Sequence, residues 1–190
     1  MQTFLSFESS NDDQIIESSE NELAIKTLQE NQKYVLIDGP KKSGKSLLAR
    51  KFSNINNKKM IYEIPIKLDF DTGVYLDLNH LPLKSENFFH FLQYFLSNNL
   101  SLTIFSSHSF DNDLNKFEII PDILSRLKSF TLISINPPKD QLLFLLIEKF
   151  LKNKSISVQP KIISYNSGKL EIEIEGFHNE KQFHFLINFF

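Results

Sequence analysis

Gly39 to Ser46 read GPKKSGKS and satisfy the spacing G-x-x-x-x-G-K-S/T. Glycines at both ends of such a run let the backbone turn tightly enough for successive N–H groups to face one anion, and the start of a following helix adds partial positive charge. A lysine and a hydroxyl complete a cradle for polyphosphate. Lys45 suits the bridge between β- and γ-phosphates and Ser46 suits Mg²⁺. The candidate phosphate contacts are therefore Gly39, Pro40, Lys41, Lys42, Ser43, Gly44, Lys45 and Ser46. The motif demands a strand before it and a helix after it; KYVLIDG supplies a short apolar run and KSLLARKFSN a helical periodicity.

A phosphate-bound magnesium also needs a carboxylate from the end of a nearby strand. GVYLDLNHL offers Asp77, so Ser46 and Asp77 form the candidate metal pair. Such strands normally end in two acids, the second orienting the attacking water, but position 78 is leucine. Leucine cannot polarise water, so intrinsic hydrolysis is expected to be slow or absent unless another acid such as Glu86 reaches in. TIFSSHS ends a further strand with Ser106 and Ser107, where a polar contact to the terminal phosphate would stand, and Ser107 joins the nucleotide-binding set. Arg126 is one of two arginines in the chain. Its planar guanidinium suits a bidentate grip on phosphate, with a helix-end surface charge as the plainer alternative.

The elements that must position these residues follow from periodicity. A helix is expected over about residues 20–31 with Ser19 as its cap, then the strand KYVLIDG, the helix KSLLARKFSN, and the strands KMIYEI and GVYLDL. SENFFHFLQYFLSNN, from Ser85 to Asn99, reads as a helix with a Ser/Glu start, followed by the strand LSLTIFSS, the short helix IPDILSRL and the strand FTLISI. This alternation predicts an α/β fold in which a five-stranded parallel sheet is flanked by helices. PKDQLLFLLIEKFLKN reads as a long amphipathic helix and QPKIISYNSG as a second, short one. KLEIEIEG alternates apolar and acidic residues like a strand, and with NEKQFHFLINFF it suggests a C-terminal hairpin. The expected organisation is an N-terminal peptide over residues 1–8, a nucleotide-binding core over 9–136 and a short divergent C-terminal subdomain over 137–190.

Composition narrows the classes of function. At 190 residues, 41% hydrophobic, the chain has room for one α/β core with a small appendage. The absence of cysteine excludes a disulfide framework and thiolate metal sites, and it fits a cytoplasmic setting. MQTFLSFESSNDDQ lacks the basic and apolar regions of a signal peptide, and QLLFLLIEKFLKN, broken by Glu148 and Lys149, is too short for a membrane span. A net charge of -2 supplies no global basic field for nonspecific DNA binding and leaves only a local patch open. His80, His90, His108, His178 and His184 show no metal-ligand spacing.

Taken together, these segments resemble a family. IPDILSRL followed by ISINPPKDQLLFLLIEKFLKNKSISV resembles the LPDLxSRL segment and lid helix of DnaA-like AAA+ replication initiators, and YVLIDGPKKSGKSLLA and VYLDLNHL extend the resemblance. The resemblance implies a P-loop NTPase fold of the AAA+ type, ATP or ADP with Mg²⁺ as cofactors, and a lid subdomain. The sequence stops at Phe190, short of a DNA-binding helix-turn-helix domain, so it is expected to be similar to the short regulatory members of the group. QTFLSF sets Gln2, Leu5 and Phe7 in a pattern similar to the peptide by which such members dock on the sliding clamp. Leu and the aromatic residue would enter an apolar pocket while Gln makes polar contacts; packing of Phe4 or Phe7 on the domain itself is the alternative. The implied partners are the initiator DnaA and the clamp, with self-association left open.

In that role Arg126 acts in trans on ATP held by the initiator, an effect of order 10³–10⁵ in rate in other systems. One departure stands out. The family's lid carries a sensor arginine, whereas ISYNSGKLEIEIEGFHNEKQF has none and offers Lys169 instead. A stand-alone P-loop ATPase or loader, and a degenerate scaffold without nucleotide, remain as other readings.

Overall fold

Apolar runs of four or five residues between turn-forming segments become strands, and the amphipathic stretches between them become helices. The computed structural model describes residues 3–4, 15–107, 120–153, 160–166, 169–175 and 182–188. In chain order the first elements are β1 (Thr3–Phe4), α1 (Glu22–Gln29), β2 (Tyr34–Asp38), α2 (Lys45–Ile55), β3 (Lys59–Ile61), β4 (Val74–Leu78) and α3 (Glu86–Ser97). They are followed by β5 (Leu102–Ser106), α4 (Pro121–Leu127), β6 (Thr131–Ser134), α5 (Asp140–Asn153), β7 (Pro160–Asn166), β8 (Lys169–Glu175) and β9 (Gln182–Asn188). The chain divides into two compact units, Glu17–Pro137 and a second that gathers Met1–Ile16 with Pro138–Phe190.

In the first unit five strands form a wholly parallel sheet in the order β3-β4-β5-β2-β6, the α/β arrangement expected from the sequence. Alternation along each strand sends side chains to two faces. On one face Leu36, Val74, Leu76, Leu102 and Ile104 pack with Phe88, Phe91, Leu92 and Phe95 of α3 and with Ile123 and Leu127 of α4. Phe70, from the β3–β4 connection, joins this cluster with ring centroids 5.3 Å from Phe95 and 6.4 Å from Phe91. The other face is covered by α1 and α2. There Asn56 Nδ2 donates to the Leu28 carbonyl at 3.0 Å and to the Tyr75 hydroxyl at 2.7 Å, joining both helices to β4. The Tyr75 ring stacks on Phe105 at 5.8 Å.

Local signals mostly hold. Ser85 caps α3 by accepting the Phe88 N–H, and Glu86 occupies the first turn, where a negative charge favours the helix. At α1 the cap position is Asn21 rather than Ser19; its Oδ1 accepts the Ser18 N–H at 2.9 Å instead of capping the helix. β3 ends at Ile61, short of the run KMIYEI, as the chain approaches Pro65, which has no N–H to give a ladder.

In the second unit β7, β8 and β9 are antiparallel neighbours and β1 lies parallel to β9, giving the order β1-β9-β8-β7. The expected hairpin is present as β8 and β9, with Ile172 opposite Phe185. The expected second short helix in QPKIISYNSG is not. Pro160–Asn166 is a strand, with Ile162 opposite Ile172 and Tyr165 opposite Leu170. β-Branched and aromatic residues favour a pleated strand, and the alternating partner β8 supplies a ladder that local helical periodicity cannot match.

Lys58, at the start of β3's lead-in, is 9% exposed, and its Nζ lies 5.1 Å from the Tyr75 ring centroid with no hydrogen-bond partner. Burial pulls its pKa down to about 8. The penalty for an ammonium held there is present in full below about pH 8 and fades as the pH rises toward the free-lysine value of 10.5. Lys58→Met is therefore expected to stabilise the fold at pH 7 by ~1–3 kcal/mol, with the gap to wild type narrowing in urea melts above pH 8.

Candidate functional site

Parallel strands deliver their carboxyl ends to one edge, where ligands of open α/β sheets bind. Register aligns them here: Asp77 and Ile37 both lie beside Phe105, Leu78 beside Ser106, and Asp38 beside Ser134. The loop between β2 and α2 leaves from this edge. Its path depends on glycine: a Cβ on Gly39, at φ 152°, would stand 2.7 Å from the Ile135 carbonyl oxygen. The Ile135 N–H in turn donates to the Asp38 carbonyl at 2.8 Å, holding the chain after β6 against the loop. Lys42 at φ 63° and Gly44 at φ 89° wind the loop back into α2, with Gly44 as the cap residue.

Lys45 opens α2 and is only 5% exposed. Its Nζ donates to the carbonyls of Gly39 at 2.9 Å and Pro40 at 2.6 Å and to Ser43 Oγ at 3.1 Å. Burial lowers its pKa, while the carboxylates of Asp77 and then Asp38 pull it back up. The ammonium is thus held by neutral oxygens, with two acids near enough to be felt.

Beside it opens a cavity of about 670 Å³. Lys41, Lys42, Gly44, Lys45 and Ser46 line it from the loop, and Asp77 and Ser107 line it from the ends of β4 and β5. Gly39, Pro40 and Ser43 stand behind this wall as the acceptors of Lys45. The sequence-derived phosphate and metal residues therefore converge. Glu86 is an exposed residue in the first turn of α3 and does not line the cavity, and Leu78 packs against the α3 cluster on the other face.

Three lining residues escaped the motif reading: Leu47, Tyr62 and Asn79. Leu47 follows the motif directly, and Asn79 lies two residues past Asp77, close enough to have been suspected. The Asn79 carbonyl accepts the Ser107 N–H at 3.2 Å, which ties the two strand ends together. Tyr62 follows β3, in a run read as strand, and had no local signal.

The donor set fits a nucleotide carrying magnesium. A hydroxyl and one carboxylate share the cavity with a lysine and a loop of N–H groups, and Mg²⁺ commonly takes one or two protein carboxylates plus phosphate and water. Among the described residues no group of three or more His, Cys, Asp or Glu side chains is placed to hold a metal ion. No helix among the described residues is long and apolar enough to cross a membrane.

Arg126 lies apart from this cavity. It sits on α4, with Nε 2.9 Å from Gln93 Oε1, Nη1 3.0 Å from the Asp122 carbonyl, and the guanidinium carbon 4.1 Å from the Phe89 ring centroid. Gln2, Leu5 and Phe7 lie outside the described residues; between them, Thr3–Phe4 form β1.

Comparison with known proteins bears on the fold. No protein-family model matches the sequence, and no curated protein is significantly similar to it. Among solved structures it is similar to AMPPCP-bound DnaA from Aquifex aeolicus, with a TM-score of 0.56 at 16% identity over 75% of this chain and 55% of that one. The replication initiator DnaA bound to AMPPCP and single-stranded DNA gives a TM-score of 0.56 at 16% identity over 75% and 54%. The likeness is one of fold: a five-stranded parallel α/β sheet flanked by helices, matching these P-loop AAA+ neighbours. The chain spans about half the length of these DnaA chains.

Within this sheet Asp77 raises the Lys45 pKa against the effect of burial. Asp77→Asn is therefore expected to lower that pKa further, seen as an earlier midpoint when the lysine side-chain carbon is titrated by NMR.

Proposed function

We propose that this chain binds ATP or ADP with Mg²⁺ around Lys45 and acts as an Hda-like regulator of chromosomal replication initiation, promoting hydrolysis of ATP held by the initiator DnaA. The observation that carries the nucleotide reading is the convergence of Lys45, Ser46, Asp77 and Ser107 on one cavity at the carboxyl edge of the sheet. Similarity of fold to AMPPCP-bound DnaA supports it.

In this reading the N–H groups of the loop and the Lys45 ammonium receive the phosphates. Ser46 and Asp77 hold the magnesium, which when bound offsets phosphate charge. Ser107 meets the terminal phosphate. With Leu78 turned to the core and Glu86 outside the cavity, no second acid among the described residues lines the site to take a proton from water. The chain then holds its nucleotide as a switch and turns it over slowly, which favours a regulator over a stand-alone ATPase. Gln2, Leu5 and Phe7 dock it on the sliding clamp, and DNA is met only through these partners. Arg126 supplies, in trans, the positive charge that the initiator's ATP needs as it breaks.

Two measurements test this. ATP or ADP with Mg²⁺ at a hundredfold its dissociation constant should raise stability by ~2.7 kcal/mol in a thermal-shift assay, and Lys45→Ala should remove the gain. A wild-type protein that melts identically with and without nucleotide would sink the proposal. For the clamp, wild type should be captured by immobilised sliding clamp and the double variant Gln2→Ala, Leu5→Ala should not; undiminished capture of the double variant refutes the docking peptide.

A further inference from the structure

Arg126 is held in place by groups that do not neutralise it. Its Nε donates to Gln93 Oε1 at 2.9 Å, and its Nη2 donates to the same oxygen. Its Nη1 donates to the Asp122 main-chain carbonyl at 3.0 Å, and the Phe89 ring lies against the guanidinium with its centroid 4.1 Å from the central carbon. The Gln93 amide is itself fixed, because its Nε2 donates to Ser97 Oγ. Among the described residues no carboxylate pairs with Arg126. Every partner among the described residues is an amide oxygen, a peptide oxygen or a ring.

A surface arginine that served only to tie α3 to α4 would gain most from a carboxylate partner, through charge-assisted bidentate bonding. Neutral acceptors orient the fork and leave its charge in force. A guanidinium has five N–H groups and its contacts with the described residues use three, so within these residues one on Nη1 and one on Nη2 remain for an outside acceptor. Two N–H groups on adjacent nitrogens match two oxygens of a phosphate. The stacked ring restricts the tilt of the guanidinium plane, so little conformational freedom is left to lose on engagement.

We infer that Gln93 and Phe89 are positioning residues that present Arg126, still charged and already oriented, to a phosphate carried by another molecule. This rests on the proposed action of Arg126 on the ATP of DnaA and identifies what aims it.

The test measures hydrolysis of ATP on DnaA in the presence of the sliding clamp and increasing amounts of this 190-residue chain. Arg126→Ala should slow the saturating rate by on the order of 10³-fold or more. Gln93→Ala, which loses the aim, should slow it by ~10–100-fold while the half-saturating concentration stays unchanged. Gln93→Glu keeps an acceptor but adds a neutralising charge, and it should slow the reaction comparably without lowering the melting temperature. Phe89→Leu should act like Gln93→Ala, and Phe89→Tyr, which keeps the ring, should restore most of the rate. If Arg126→Ala slows hydrolysis while both Gln93 variants stay within about twofold of wild type, the positioning role is wrong and the regulator reading stands. A Gln93→Ala effect confined to melting temperature and half-saturation also overturns it, as a purely structural contribution. If Arg126→Ala changes nothing, both fall together.

Discussion

A lysine ammonium enclosed by its own loop is the constraint on which this structure turns. Lys45 has little access to water, and its three donors must be met by oxygen. The carbonyls of Gly39 and Pro40 and the Ser43 hydroxyl meet them, which fixes the course of the loop at both ends. That course brings Gly39 under the Ile135 carbonyl, where a Cβ has no room, and so requires β6 to stand beside β2. The outer strand order and the inner charge are thus two sides of one requirement. Moving β6 would open the loop, and opening the loop would leave the ammonium without acceptors.

The same sheet divides its labour by strand parity. Along β4, Tyr75 and Asp77 turn toward α2, one to the Asn56 amide and the other to the cavity, while Leu76 and Leu78 turn toward the α3 cluster. Position 78 is used for packing against aromatic side chains of α3, and a carboxylate there would be drawn out of that cluster or desolvated within it. The core, not the cavity, therefore claims position 78. Beyond Asp77, this strand end also gives the cavity Asn79, whose main-chain carbonyl accepts the Ser107 N–H.

Much of this was legible in the sequence because the signals are local. Gly39, Gly44, Lys45 and Ser46 announce their loop by spacing, the five apolar runs announce their strands, and Ser85 announces the start of α3. What escaped depends on distant partners. Tyr62 reaches the cavity from a segment that only the placement of β3 at the sheet edge brings near. Pro160–Asn166 looks helical alone and becomes a strand because Lys169–Glu175 lies alongside it. The anchoring of Arg126 by Gln93 spans 33 residues and two helices, so no periodicity records it. Local chemistry is written in short spacings, whereas the aiming of a side chain is set by tertiary packing.

The two cations singled out by the sequence, Lys45 and Arg126, end in comparable environments. Both are oriented by neutral oxygens, and the acids near Lys45 modulate it without appearing among its hydrogen-bond partners. Carboxylate partners would have stabilised either cation more in isolation, but would also have spent its charge within the molecule. The difference between the two lies in the side chain. Lysine, a compact point charge on a flexible stem, suits a cup whose backbone supplies the directional bonds. Arginine carries its own direction in a planar fork, and so suits a half-buried position between two helices where neighbouring side chains set the plane of the guanidinium.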